Sequence, residues 1–201
     1  LTRIRGNVVD AAGVRGLFLA GARSLDPGTT LSFAGREISG NTIKNHTYGM
    51  YYDDVEAATV TGNALESNDW QIYLDDGSLN SGFVVSGNNI FDGTWGVYTT
   101  DSSGIVDAEK NWWGDVSGPL DNSGSVEVPP CTGSPATESN ADGLGDEVSD
   151  FVDHCPWATA AFDLGATIFT DGFKQQAEGT DFEMGVLSIG MTLESNAIKY
   201  F

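Results

Sequence analysis

Five asparagines recur along the chain, each opening a new segment after a glycine or a lysine: Asn7, Asn41, Asn63, Asn88 and Asn111. The segments around the first four read IRGNVV from Ile4, ISGNTI from Ile38, VTGNAL from Val60 and VSGNNI from Val85, and the fifth opens NWWG. Successive asparagines lie 34, 22, 25 and 23 residues apart. A period in the low twenties is the length of one coil of a parallel β-helix, in which a coil buries its apolar side chains only by stacking on its neighbours. The pattern therefore predicts a solenoid.

A second strand recurs in each repeat, eight or nine residues after the asparagine: Gly16-Leu-Phe-Leu, Gly49-Met-Tyr-Tyr, Gln71-Ile-Tyr-Leu and Gly96-Val-Tyr-Thr. Alternation assigns the faces. Leu17 and Leu19, Met50 and Tyr52, Ile72 and Leu74, and Val97 and Thr99 point inward, joining Val9, Ile43, Leu65 and Ile90 from the first strand, while Phe18, Tyr51, Tyr73 and Tyr98 point outward. The asparagines Asn7, Asn41, Asn63, Asn88 and Asn111 then sit at a bend between strands. There an amide can bond its equivalents one coil above and below and also satisfy backbone groups that the turn leaves over.

With these repeats come DAEKNWWGDVSGP from Asp107 and GLGDEVSDFVDHCPW from Gly143. Together they resemble the end of a right-handed parallel β-helix domain of the pectin-lyase-like superfamily, whose secreted bacterial members close with NWWG, SGP and PW elements in this order. The resemblance covers roughly residues 1 to 158. It implies an all-β, right-handed parallel β-helix of four to five coils. It does not imply a reaction, because one fold hosts many chemistries.

The division expected is residues 1–120 as β-helix coils, 121–158 as an irregular closing region and 159–201 as a C-terminal β tail. Leu1 enters in the middle of a strand with no signal peptide before it, which reads as a processed or partial product. The length suffices for one domain with a continuous core. No apolar run approaches the roughly 18 to 20 residues that cross a bilayer. Cys131 and Cys155 both fall in the closing region. In a chain that looks secreted such a pair most simply forms a disulfide, which implies an extracellular or cell-surface location, with the periplasm as second choice. With only His154 nearby, the two thiols do not make a structural zinc shell.

Charge limits the partners. Nine Lys and Arg against 29 Asp and Glu give a net charge of −20. Such a surface repels nucleic acid and anionic membrane, and it repels polyuronates unless a cation bridges them. Residues 1–36 carry five Arg and two acids, 5 − 2 = +3, and residues 37–201 carry four basic and 27 acidic residues, 4 − 27 = −23. This asymmetry is compatible with head-to-tail association of copies into an oligomer or filament, and equally with an acidic surface that keeps a secreted protein soluble.

Asp54, Asp76 and Asp101 each follow a ladder asparagine by thirteen residues, and Asp53 and Asp75 precede two of them. Stacked coils bring such carboxylates to about 4.8 Å. Three readings stand: turn acids screened by water, calcium held by hard oxygens, or a catalytic carboxylate pair at Asp53 and Asp75 with the spacing of a glycosidase. The outward Tyr51, Tyr73 and Tyr98, beside Asp54, Asp76 and Asp101, suit a neutral glycan, since rings stack on sugar faces and carboxylates accept hydroxyl hydrogen bonds. Stacked aromatics also stabilise a sheet without any ligand. A lyase needs a base near the uronate, and Arg36, Lys44, His46 and Lys110 do not recur on that face.

Asp142, Asp146 and Asp150, spaced by four, resemble acidic calcium loops but lack the alternation of the EF-hand loop. Beyond Trp157, Leu187, Ile189, Met191 and Leu193 alternate on one face of a strand that must cover something. The function expected is a structural or adhesive extracellular protein that needs no cofactor, with a glycosidase or a passive glycan-binding module as the alternatives.

Overall fold

In the computed structural model the chain winds as a right-handed parallel β-helix, described over residues 3–20, 31–75, 78, 80–102, 104–122 and 139–164. One face of the coil is a six-stranded parallel sheet of β1 (Ile4–Arg5), β3 (Leu31–Ser39), β5 (Val55–Thr61), β8 (Phe83–Ser86), β11 (Val106–Asp107) and β14 (Val152–Asp153). The other sheet wraps round a corner. Its long strands β2 (Val8–Ala20) and β4 (Thr42–Asp53) each run along two faces, while later coils split the same path into β6 (Ala64–Glu66) and β7 (Trp70–Leu74), then β9 (Asn89–Phe91) and β10 (Trp95–Thr99). Each coil thus has three faces.

Stacking in register sorts the core into columns. Ile43, Leu65 and Ile90 pair in succession, as do Met50, Ile72 and Val97, and all six are buried. Tyr52, Leu74 and Thr99 form a third column, and Val60 and Val85 a fourth. Each such aliphatic side chain contributes about 1.5–3 kcal/mol by burial. Inward positions expected from alternation are therefore the positions that fill the helix.

The first corner belongs to the asparagines. Asn41 Oδ1 accepts from the backbone N–H and the Nδ2 of Asn7, at 3.1 and 2.9 Å, while its own Nδ2 donates to Asn63 Oδ1 at 2.9 Å and to the Ile4 carbonyl at 3.1 Å. Asn63 and Asn88 repeat the arrangement, ending at Asn111, whose Nδ2 reaches the carbonyls of Val85 and Ala108, both at 2.7 Å. Every lone pair and N–H of an interior rung is used.

The residue before each asparagine must turn through positive φ. Gly40, Gly62 and Gly87 do so at 64°, 64° and 67°, and Lys110 holds φ 62° at the last rung. A side chain in that region costs about 1–2 kcal/mol, partly offset because glycine loses about 0.5–1 kcal/mol more backbone freedom on folding. Its ion pair with Glu109 is exposed and adds little. Lys110→Gly is expected to raise stability by about 0.5–1 kcal/mol, read as a higher urea midpoint at unchanged slope.

The closing motif explains itself in three dimensions. Trp112 bridges Asn89 and so begins the second face of one more coil. The chain then reaches Asp121, which meets Asn140 across an antiparallel bridge. It returns as β13 (Gly145–Val148), which pairs with β10 on the third face, and β12 (Pro119–Leu120) lies along its far edge. Trp113 is fully buried against Gly96, where an added Cβ would lie 2.7 Å from the indole. Trp157 likewise covers Gly118, and its Nε1 donates to the Val116 carbonyl at 3.1 Å. Backbone N–H groups of Lys110 and Ala158 bond Pro156 and Asn111, so residues 156–158 lie along the last rung. Cys155 is buried; Cys131 and the strand expected at Leu187–Leu193 lie outside the described residues.

Candidate ligand-binding face

The third face begins at a corner where the chain turns through positive φ again, at Asn45, Ser67 and Asp92. Past the corner, β7 and β10 share one burial pattern: half-buried, buried, buried, half-buried, buried. Two consecutive residues face inward because the first of them, Gly49, Gln71 or Gly96, occupies the inside of the bend. The residue before that pair therefore projects outward, as does the residue after it.

The outer surface consequently carries two files of rings. One is Phe18, Tyr51, Tyr73 and Tyr98; the other is Tyr48, Trp70 and Trp95, which pair in register and start from Arg15. Tyr51 stacks on Tyr73 at 5.1 Å and 15°, and Tyr73 on Tyr98 at 5.4 Å and 8°. Tyr48 stacks on Trp70 at 5.0 Å and 17°. The files lock together edge to face, through Tyr48 with Tyr51 at 5.0 Å and Trp95 with Tyr98 at 4.8 Å. At the N-terminal end the Arg15 guanidinium lies 4.5 Å from the Phe18 centroid and 4.2 Å from that of Tyr51. Such contacts are worth about 0.5–1.5 kcal/mol each beyond area burial.

Sequence alternation found the first file and missed Tyr48, Trp70 and Trp95. The available signal was an aromatic residue directly before each Gly49, Gln71 and Gly96. It also took Tyr51 for an open ring. Tyr51 is only 9% exposed, because Arg15, Phe18, Tyr48 and Tyr73 surround it. Its hydroxyl donates to the Asp75 carboxylate. Burial, then the Asp75 charge, hold the Tyr51 phenol well above the usual range, and burial raises Tyr73 in the same direction.

The expected carboxylate row is shorter than its spacing implied. Asp53 and Asp75 follow the paired Tyr52 and Leu74, half-buried at the margin of the rings, but Ala20 precedes Asp53 in register and Thr100 follows Asp75. Asp54 is 3% exposed with φ 55°, so it belongs to the turn and not to the ligand face. Asp101 is held in another turn, where its N–H donates to Thr99 Oγ1 at 3.1 Å and its carbonyl accepts from Asn80 Nδ2 at 2.8 Å. Asp76 lies outside the described residues.

Asp142, Asp146 and Asp150 do not come together. Asp142 and Asp150 are exposed, whereas Asp146 is 7% exposed at the end of a polar file inside the second corner. In that file Asn68 Oδ1 accepts the His46 backbone N–H at 3.0 Å, and Asn68 Nδ2 donates to Gln71 Oε1 at 2.6 Å. Gln71 Nε2 then donates to Asp146 Oδ2 at 3.1 Å, and the Gly93 N–H meets both carboxylate oxygens at 3.0 and 3.1 Å. Burial pushes the Asp146 carboxyl up to about 6 against the lowering effect of those hydrogen bonds.

A family model described as "Periplasmic copper-binding protein (NosD)" matches residues 26–113, under half of the chain. No curated protein and no solved structure matches it. Copper needs converging soft or imidazole donors. Among the described residues no three His, Cys, Asp or Glu side chains gather closely enough to hold a metal ion. Within the matched span His46 is buried, its ring nitrogens without a hydrogen-bond partner among the described residues, and the Met50 sulfur faces the Tyr52 hydroxyl at 3.5 Å. The described donor set does not fit copper.

Proposed function

We propose, for a chain that is a right-handed parallel β-helix of the pectin-lyase-like superfamily, that it acts outside the cytoplasm as an adhesive module holding a neutral glycan along its double file of rings. One observation carries this reading: stacked and edge-locked rings run without a break over four successive coils. The stacked rings present their edges and hydroxyls along the ridge, giving the C–H groups of a sugar chain an apolar surface and its hydroxyls acceptors at the margin, where Asp53 and Asp75 stand. A net charge of −20 favours a neutral ligand over a uronate. The matched family is described as periplasmic, which supports a setting outside the cytoplasm.

Binding without cleavage is the more direct reading. Asp75 already accepts the Tyr51 hydroxyl, which suits an acceptor beside a ring stack better than a nucleophile. Residues 156–158 cover the last asparagine rung, so a copy stacking head to tail would meet that segment and not the rung itself, and self-association stands behind glycan recognition.

Retention on a panel of immobilised neutral polysaccharides tests the reading. Wild-type protein is expected to be retarded on at least one of them, and Trp70→Ala, which opens the middle of the second file, to lose at least tenfold in affinity, about 1.4 kcal/mol. Equal retention of both proteins would remove the ridge as the binding surface. Release of reducing ends that stops in Asp75→Asn would transfer the function to a glycosidase.

A further inference from the structure

The second file of rings stops at Trp95. The next residue in register is Glu147 on β13. Glu147 and Thr94 border a cavity of about 310 Å³ between the corner at residues 92–94 and the returning segment 144–147. That size sits at the small end of ligand pockets and suits a single ring.

Its walls are of two kinds. Leu120 and Leu144 give an apolar side; Trp113 also borders the cavity but is fully buried, its indole N–H without a partner among the described residues. Asp92, Asp146 and Glu147 give carboxylate acceptors. The Asp146 carboxylate is fixed in place by the Gln71 and Gly93 hydrogen bonds. The rings end here because Glu147 follows Trp95, and the sheet ends one strand further on at β12, Pro119 against Gly145 and Leu120 against Glu147.

We propose that this cavity receives the terminal pyranose of a neutral glycan whose preceding units lie on the aromatic ridge. The inference rests on the ridge reading. An apolar wall for one sugar face and acceptors for its hydroxyls are the complement such a ring requires, and three acids exclude a uronate at this position.

Saturation-transfer NMR with cellohexaose, mannohexaose, xylohexaose and maltohexaose tests it. With whichever hexasaccharide binds, one terminal residue is expected to show about twice the saturation of interior residues. Leu144, 78% exposed at the rim, can be enlarged without disturbing the core. Leu144→Trp is expected to abolish the terminal excess and weaken binding about tenfold. Glu147→Gln should also weaken it, and serves instead if the tryptophan variant does not fold. An unchanged saturation profile and affinity in the folded variants would overturn the cavity assignment while the loss in Trp70→Ala left the ridge standing. No binding of any hexasaccharide to the wild type would overturn both.

Discussion

Asn63→Ala is expected to destabilise the protein by about 3–5 kcal/mol, enough to unfold a domain of marginal stability. The side chain lies in the middle of the ladder and is fully buried. Its Oδ1 accepts the N–H and Nδ2 of Asn41 at 3.0 and 2.9 Å, and its Nδ2 serves Asn88 Oδ1 at 3.0 Å and the Ile38 carbonyl at 2.8 Å. Alanine strands two donors of Asn41 and the carbonyl of Ile38 inside the protein, and each stranded group costs about 1–3 kcal/mol, less where water can enter. Asn7→Ala supplies the contrast. Asn7 is only half-buried, and its side chain gives a single bond to Asn41, so about 1 kcal/mol is expected there. Urea unfolding of both variants checks the difference; equal losses would mean that the turn conformation, not the stacked amides, sets the stability of the corner.

The second large effect concerns acid. Burial pushes the Asp146 carboxyl up to about 6 in the folded chain, from its ordinary 3.8. A carboxyl raised by folding contributes stability that is complete below the unfolded value and is lost as pH rises through the folded one. Ionised Asp146 therefore penalises the folded state by about 3 kcal/mol above pH 6, and the penalty disappears between about pH 6 and pH 4. Asp146→Asn should abolish that dependence. An amide oxygen at the Oδ2 position can still accept from Gln71 and Gly93, each 3.1 Å from it in the wild type. The variant is expected to exceed wild type by about 1–3 kcal/mol at pH 7.5 and to match or fall below it at pH 4.5. Comparing the two proteins at each pH removes the general effect of titrating the other acids. A difference that stayed constant across pH would show that Asp146 keeps its ordinary acidity in the fold.

These effects mark where the sequence was transparent and where it was not. Asn7 to Asn111 were legible because an interior amide must find its equivalent in the next coil, which forces a repeat spacing. The columns of Ile43 and Met50 were legible through period-two alternation. Tyr48, Trp70 and Trp95 escaped because the corner sends two neighbouring residues inward, Gly49 with Met50, Gln71 with Ile72 and Gly96 with Val97, and breaks that period. Asp146 was read with Asp142 and Asp150 because regular spacing in sequence looks the same whether the groups converge or scatter. Only the return of the chain at Gly145 puts Asp146 beside Gln71, 75 residues away. His46, Asn68 and Gly93 recur at the coil period, as the asparagine ladder does, but their different side chains concealed a second polar file.

The recognition claim is tested most directly by following the ring and indole signals of the labelled protein while a neutral oligosaccharide from the retained class is added. The account predicts progressive shifts at Tyr48, Trp70, Trp95, Tyr73 and Tyr98, saturating together, with the buried Tyr52 unmoved. Shifts that avoid these rings, or no shift with any neutral oligosaccharide, would contradict it.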